Sequence, residues 1–274
     1  MMSGMCVSLG PAEFTSTIAF AGIRNHPEHG LVHLLGYQNV VTDLGEGGNA
    51  MVLHVPAWEL TPTHFLPVTG YPDLLERMAM AVPQVPYPGE VDWMTMSGDE
   101  PTVFPYGAYT VVVAPDPTRI PGALERVPPG RRPRLSPDLW RFYADVFPDH
   151  VVVLCCFDNR EPVTAHPVLF WYAPLEPDVV TIPGVDCHTG DAPDLSTSVA
   201  RDHVLAFGHV DGPPGRGVAV RHPRKLRRKL REWLPTEVTG VHLPPDTMTA
   251  NGDFRLARES LTAGRVEDLE IGCG

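Results

Sequence analysis

A chain of 274 residues, 43% of them hydrophobic and 20% charged, is long enough to bury a sizeable core, in one large domain or two small ones. Its net charge of −12 argues against general affinity for nucleic acid, and no run approaches the ~18 apolar residues of a membrane-spanning helix. Proline is the outlying number: 31 residues, about twice the usual ~5% share and spread along the whole chain, so short elements and few long helices are expected.

The first hundred residues read as a strand meander. Apolar or β-branched runs begin at Cys6 and cover Thr15 to Ala21, Leu31 to Tyr37 and Ala50 to Val55. Between them stand Asn25-His26-Pro27 and Gly45-Glu46-Gly47-Gly48-Asn49, residue types that supply turn dihedrals. Tyr71 to Val82 carries Leu74, Leu75, Met78 and Val82 at helical spacing and is stopped by Pro83. Val103 to Ala114 follows as a strand region bent near Gly107. Thr118 to Val127 is a short helix, and a basic, proline-rich connector spans Pro128 to Pro137. Ser136 and Pro137 fit the N-cap and first position of a helix reaching about Phe147.

Val151 to Phe157 is an unbroken apolar run, the pattern of a strand buried on both faces. Adjacent residues of a strand point to opposite faces, so Cys155 and Cys156 make no chelating pair. Further short strands are expected at Val168 to Tyr172, Val179 to Val185, His203 to Phe207 and Val218 to Arg221, then a helix from Arg224 to Leu234. The polar stretch 246–274 is expected to be loosely held, with one helical turn near Phe254 to Leu261. The sum is an α+β fold: antiparallel sheets of short strands with three or four helices packed against them, in a single domain with its one candidate subdivision near residues 128–137.

The start Met1-Met2-Ser3 lacks the basic and apolar regions of a secretory leader. The five cysteines (Cys6, Cys155, Cys156, Cys187 and Cys273) are irregularly spaced, with no Cys-x-x-Cys pair. They point to a reducing, cytoplasmic setting rather than to a disulfide framework. No cofactor is expected.

Two stretches carry candidate chemistry. Met5-Cys6 running into an apolar strand resembles the Cys-type N-terminal-nucleophile hydrolases, the bile-salt-hydrolase and glutamine-amidotransferase relatives that cleave non-peptide amides. The resemblance implies that Cys6, once Met5 is removed, is a nucleophile activated by its own amine. The chain departs from that pattern in the four residues before Met5 and in lacking the family's downstream Asp, Asn and Arg positions. Without terminal processing, Cys6 is equally a small buried hydrophobe of the first strand.

The second stretch is Val185-Asp186-Cys187-His188-Thr189-Gly190-Asp191, followed by Asp202-His203. Asp186 and His188 are two apart at a strand end and share a face. If the flanking strands form a hairpin, Asp202 and His203 join them. This set fits a His general base oriented by an Asp, serving the thiol of Cys6 on a small-molecule or peptide amide. It equally fits a divalent-metal site on His188 and His203, or a loop of Asx-type turns.

A third feature fits binding rather than catalysis. Arg221 to Leu234 holds seven of the 21 basic residues in a chain of net charge −12, with Leu226, Leu230, Trp233 and Leu234 on one stripe. Such a face can meet nucleic-acid phosphates, an anionic ligand or an acidic protein partner, and the last is the expectation, nucleic acid being disfavoured by the net charge. The stripe equally fits simple packing on the domain.

Overall fold

The computed structural model describes residues 7–8, 12–43, 47–83, 100–134, 136–158, 166–187 and 189–273. Among these, strands dominate: β1 (Val7–Ser8), β2 (Ala12–His26), β3 (Gly30–Asp43), β4 (Gly48–Val55), β5 (Thr102–Tyr106), β6 (Tyr109–Ala114), β7 (Val151–Asp158), β8 (Val168–Tyr172), β9 (Val179–Ile182), β10 (Ser198–His209), β11 (Val218–Ala219), β12 (Glu237–Ala250), β13 (Asp253–Ala257) and β14 (Glu270–Gly272). The helices are α1 (Leu74–Ala79), α2 (Ile120–Leu124), α3 (Pro137–Val146), α4 (Arg228–Arg231) and α5 (Arg258–Ala263), the longest being ten residues.

The α+β expectation is therefore corrected: the protein is mostly β, built on three sheets. Proline explains the shortfall of helix. The stretch from Tyr71 to Val82 yields only the six residues of α1, between Pro72 and Pro83. The basic stretch from Arg224 to Leu234 yields the four-residue α4 within a run of turns.

One sheet has the order β1-β4-β7-β6-β5 and is antiparallel throughout. Every residue of its central strand β7 is buried, as its apolar run requires. Cys155 faces the larger core, and Cys156 faces a second core closed by α2, α3 and Phe147. The second sheet has the order β11-β12-β10-β2-β3-β8, in which only β10 and β2 run parallel. The third is β14-β13-β9.

This third sheet overturns the expectation of a loosely held end. Phe254, Leu256, Leu269 and Ile271 are buried, and Phe254 pairs with Ile182 across 72 residues of sequence. Part of the polar composition of this stretch is itself buried, at Asn251, Asp253 and Ser260. At the connector near 128–137, Pro133 bridges to Gly48 at the start of β4.

An irregularity crosses the second sheet. The β2–β3 register shifts between Thr15 and Ile18, and the β10–β12 register shifts between Arg201 and His203. The opposing residues of β12 are Pro244, Pro245 and Asp246, the last with φ +66°. Proline donates nothing to a ladder, and a bulge is where a strand tolerates it.

Candidate functional site

Cys6 and His188 lie outside the described residues, and so does the pairing proposed for them. The other three candidates have identifiable structural partners. Asp202 accepts the backbone N–H of Ser16 at 2.9 Å, and Ser16 has φ +50°. Its carboxylate thus ties the β10–β12 irregularity to the bulge of β2. His203 is buried, and its Nδ1 accepts the N–H of Asp202 at 2.8 Å.

Asp186 is also buried. Its N–H donates to Asn251 Oδ1 at 2.8 Å, and Asn251 Nδ2 donates back to its carbonyl at 3.0 Å. Asn251 also donates its backbone N–H to Thr197, six residues before His203. Strand rise puts about 20 Å between those positions. The flanking strands form no hairpin: β9 belongs to the third sheet and β10 to the second. Asp186 therefore does not meet Asp202 and His203. No group of three or more His, Cys, Asp or Glu side chains among the described residues is arranged to hold a metal ion.

The described cysteines divide by burial. Burial pushes the thiol of Cys156 up to about 12, that of Cys273 likewise, and that of Cys155 higher still. Such thiols are not nucleophiles at neutral pH. Cys187 is half-buried, with Thr189 Oγ1 3.3 Å from its sulfur.

The most distinctive assembly is on the surface and was not anticipated. The β2–β3 hairpin turns through Pro27, Glu28 and His29, closing at Gly30 with φ +69°, a conformation glycine adopts without a steric cost. This turn stacks His26 on His29 at 4.6 Å between ring centroids. His26 also stacks on Trp233 at 4.8 Å, His29 on Trp171 at 4.5 Å, and the two indoles on each other at 5.3 Å. His64 adds a fifth contact, 4.3 Å from Trp171, and the Arg24 guanidinium lies 4.6 Å over Trp233. Burial, followed by the neighbouring Arg24 and His29, holds the His26 imidazole below its ordinary pKa. Burial does the same for His64. The row is built of imidazole and indole rings, with the Arg24 guanidinium at one end.

Trp233 joins this row to the basic segment. Leu226, Leu230 and Leu234 are buried, while Arg221, Arg224, Lys225, Arg227, Arg228, Lys229 and Arg231 are all exposed. The segment is pinned from below, since Tyr71 Oη donates to the Lys225 carbonyl at 3.2 Å and accepts the Arg227 N–H at 3.1 Å. Glu232 supplies one carboxylate, 3.3 Å from Arg228, at the surface. The leucine stripe was legible at helical spacing. The histidines and Trp171 were not, because four separate elements bring them together.

Two further polar groupings have internal roles. His54 on β4 and Asp253 on β13 form a fully buried pair at 2.8 Å, and Gly184 N–H donates to the same carboxylate at 2.8 Å. They tie the five-stranded sheet to the three-stranded one. A cleft of about 490 Å³ between β10 and α5 contains His209, 3.4 Å from both Thr262 Oγ1 and Asp211 Oδ1. The Thr262 hydroxyl gives its proton to the Arg258 carbonyl at 2.8 Å, so His209 has no activated hydroxyl to serve.

No family model matches the chain, and no curated protein matches it. Among solved structures it is similar to a mutated baculovirus P35 after caspase cleavage: 11% identity, 89% of this chain and 97% of that one covered, TM-score 0.45. A second structure of the cleaved mutant matches at 14% identity, covering 73% and 68%, with a TM-score of 0.43. Baculovirus P35 itself matches at 11% identity, covering 91% and 90%, with a TM-score of 0.41. A likeness of this degree assigns neither a family nor a function.

Proposed function

We propose that this protein works by binding, and that its partner is an acidic protein segment received on the basic stretch 221–231 and the adjoining aromatic row. The observation that carries the reading is the separation of roles within that stretch. Its leucines are buried, so the backbone is held in place, and its seven cations all point to solvent in a chain of net charge −12. A cationic surface that is fixed before encounter loses little conformational entropy on binding, and it steers an acidic partner from a distance. The aromatic row beside it offers stacking and cation–π surface, the composition of interface centres.

A protein-wide negative charge repels the phosphate backbone, which favours a polypeptide over nucleic acid. The test is titration of a fluorescein-labelled, glutamate-rich peptide into the full chain, followed by anisotropy. The Arg227→Glu/Arg228→Glu variant is expected to weaken binding about tenfold or more, and added salt to weaken it further. Unchanged affinity in that variant refutes the reading, as does tighter binding of a mixed-sequence oligonucleotide than of the peptide.

A further inference from the structure

Four large hydrophobic side chains are exposed among the described residues: Trp58, Met80, Val218 and Met248. Two of them, Met80 (83% exposed) and Val218 (46%), line one cleft of about 360 Å³ together with Arg77, Ala81, Ala219 and Arg221. One wall is the end of α1. The other is β11, the outermost strand of the six-stranded sheet. Isolated exposed hydrophobes are ordinary, but two converging in a concave site with polar surroundings mark a contact surface.

The rim is cationic and partly fixed. Arg77 donates through Nε to Asp73 at 2.6 Å and through a terminal nitrogen to the Arg221 carbonyl at 2.9 Å. Arg221 is also the first residue of the exposed basic stretch, so the apolar cleft and the cationic surface are continuous along the chain.

We infer that this cleft receives a large apolar side chain of the same acidic partner, which makes the preferred ligand an acidic peptide carrying a leucine- or phenylalanine-like anchor rather than a purely charged one. The inference rests on the binding reading above and adds the partner's second chemical feature. Charge complementarity selects the acidic residues, which meet the exposed cations of the 221–231 stretch, Arg228 and Lys229 among them. The volume and the Met80–Val218 lining select the anchor. Methionine suits such a lining, because its unbranched, polarisable side chain adapts to different apolar shapes.

The experiment compares two fluorescein-labelled peptides of equal length and charge by anisotropy against the full chain. One is a glutamate–glycine repeat, and the other has a central leucine–phenylalanine pair. The anchored peptide is expected to bind at least tenfold more tightly. The Met80→Gln/Val218→Thr variant, which keeps shape and charge, is expected to lose that advantage while binding the plain peptide as before. Arg228→Glu/Lys229→Glu is expected to weaken both peptides. Equal binding of the two peptides, or an advantage that survives Met80→Gln/Val218→Thr, overturns the anchor cleft and leaves the charge reading standing. Failure of both peptides to bind, or indifference to Arg228→Glu/Lys229→Glu, overturns the two together. Oxidation of Met80 by dilute peroxide, with Met248 as internal reference, supplies a further readout. Fast oxidation in the free chain, slowed by the anchored peptide, is expected. Protection of Met80 in the free chain means that the cleft is already covered, and that overturns the inference.

Discussion

Mild acid is expected to destabilise the fold through two buried histidines, by an amount that can be worked out in advance. His150 precedes β7 and lies under Phe147 and His54, with ring centroids 5.2 and 5.6 Å away, and its Nδ1 has no hydrogen-bond partner. Burial, reinforced by the neighbouring His54, lowers its pKa to about 3. His33 on β3 stands opposite Tyr172 of β8, and burial lowers it to about 4. Both folded-state values are depressed below the unfolded value of about 6.5, so the unfolded chain binds more protons and stability falls as pH drops below 6.5. For each histidine the loss continues until the pH reaches its folded value. At pH 5 each has lost about 1.5 pH units at 1.36 kcal/mol per unit, or about 2 kcal/mol, and the pair about 4 kcal/mol. Against a total stability of about 5–15 kcal/mol this is a large share. Urea unfolding followed by tryptophan fluorescence at pH 7.5 and pH 5.0 measures it. In His150→Leu the pH-dependent difference should shrink by about 2 kcal/mol, whatever the substitution does to stability at pH 7.5. Taking the difference within each variant isolates the histidine from Asp149, whose carboxyl burial raises. A difference unchanged in both His150→Leu and His33→Leu refutes the reasoning.

Two substitutions test how the sheets are joined. Asp253→Ala leaves His54 and the Gly184 N–H without their carboxylate in a fully buried site. It should cost about 3–5 kcal/mol in urea unfolding at neutral pH. Burial opposes ionisation of Asp253, yet His54, the Gly184 N–H and His150 outweigh it and hold its pKa below the ordinary value. The wild-type advantage over Asp253→Ala is therefore full above the ordinary carboxylate range and shrinks as pH falls below it. Gly240→Ala would set a Cβ 2.0 Å from the Leu205 carbonyl inside the β10–β12 ladder, so the variant should lose more than about 3 kcal/mol, read from the urea midpoint.

The sequence shows those parts of the fold whose cause is local. The run from Val151 to Phe157 predicts a strand buried on both faces because every position is apolar, and β7 is that strand. The 14-residue β12 is invisible to the same reading. Gly240 and Pro244-Pro245 stand in the pattern as breakers, and only the bulged register opposite Asp202 shows why they are tolerated. Helix was over-read for the converse reason. Spacings of three and four persist in Tyr71 to Val82, but the prolines leave one and a half turns of α-helix.

The same distinction governs the site. Asp202-His203 stood out as chemistry because carboxylate and imidazole side chains are the usual catalytic pair. Yet a bulge with Ser16 at positive φ needs an acceptor for its freed N–H, and an aspartate on the neighbouring strand supplies one. A reactive residue type at a strand irregularity is thus ambiguous until the backbone donors around it are counted. The basic stretch carries the opposite lesson. Its charges were legible along the sequence, whereas His26, His29, His64 and Trp171 become one surface only when the β2–β3 hairpin, the single helical turn ending at His64 and β8 meet. Trp233 is the link between the two kinds of signal: it lies on the leucine stripe read from spacing, and it turns its ring to the row that spacing did not reveal.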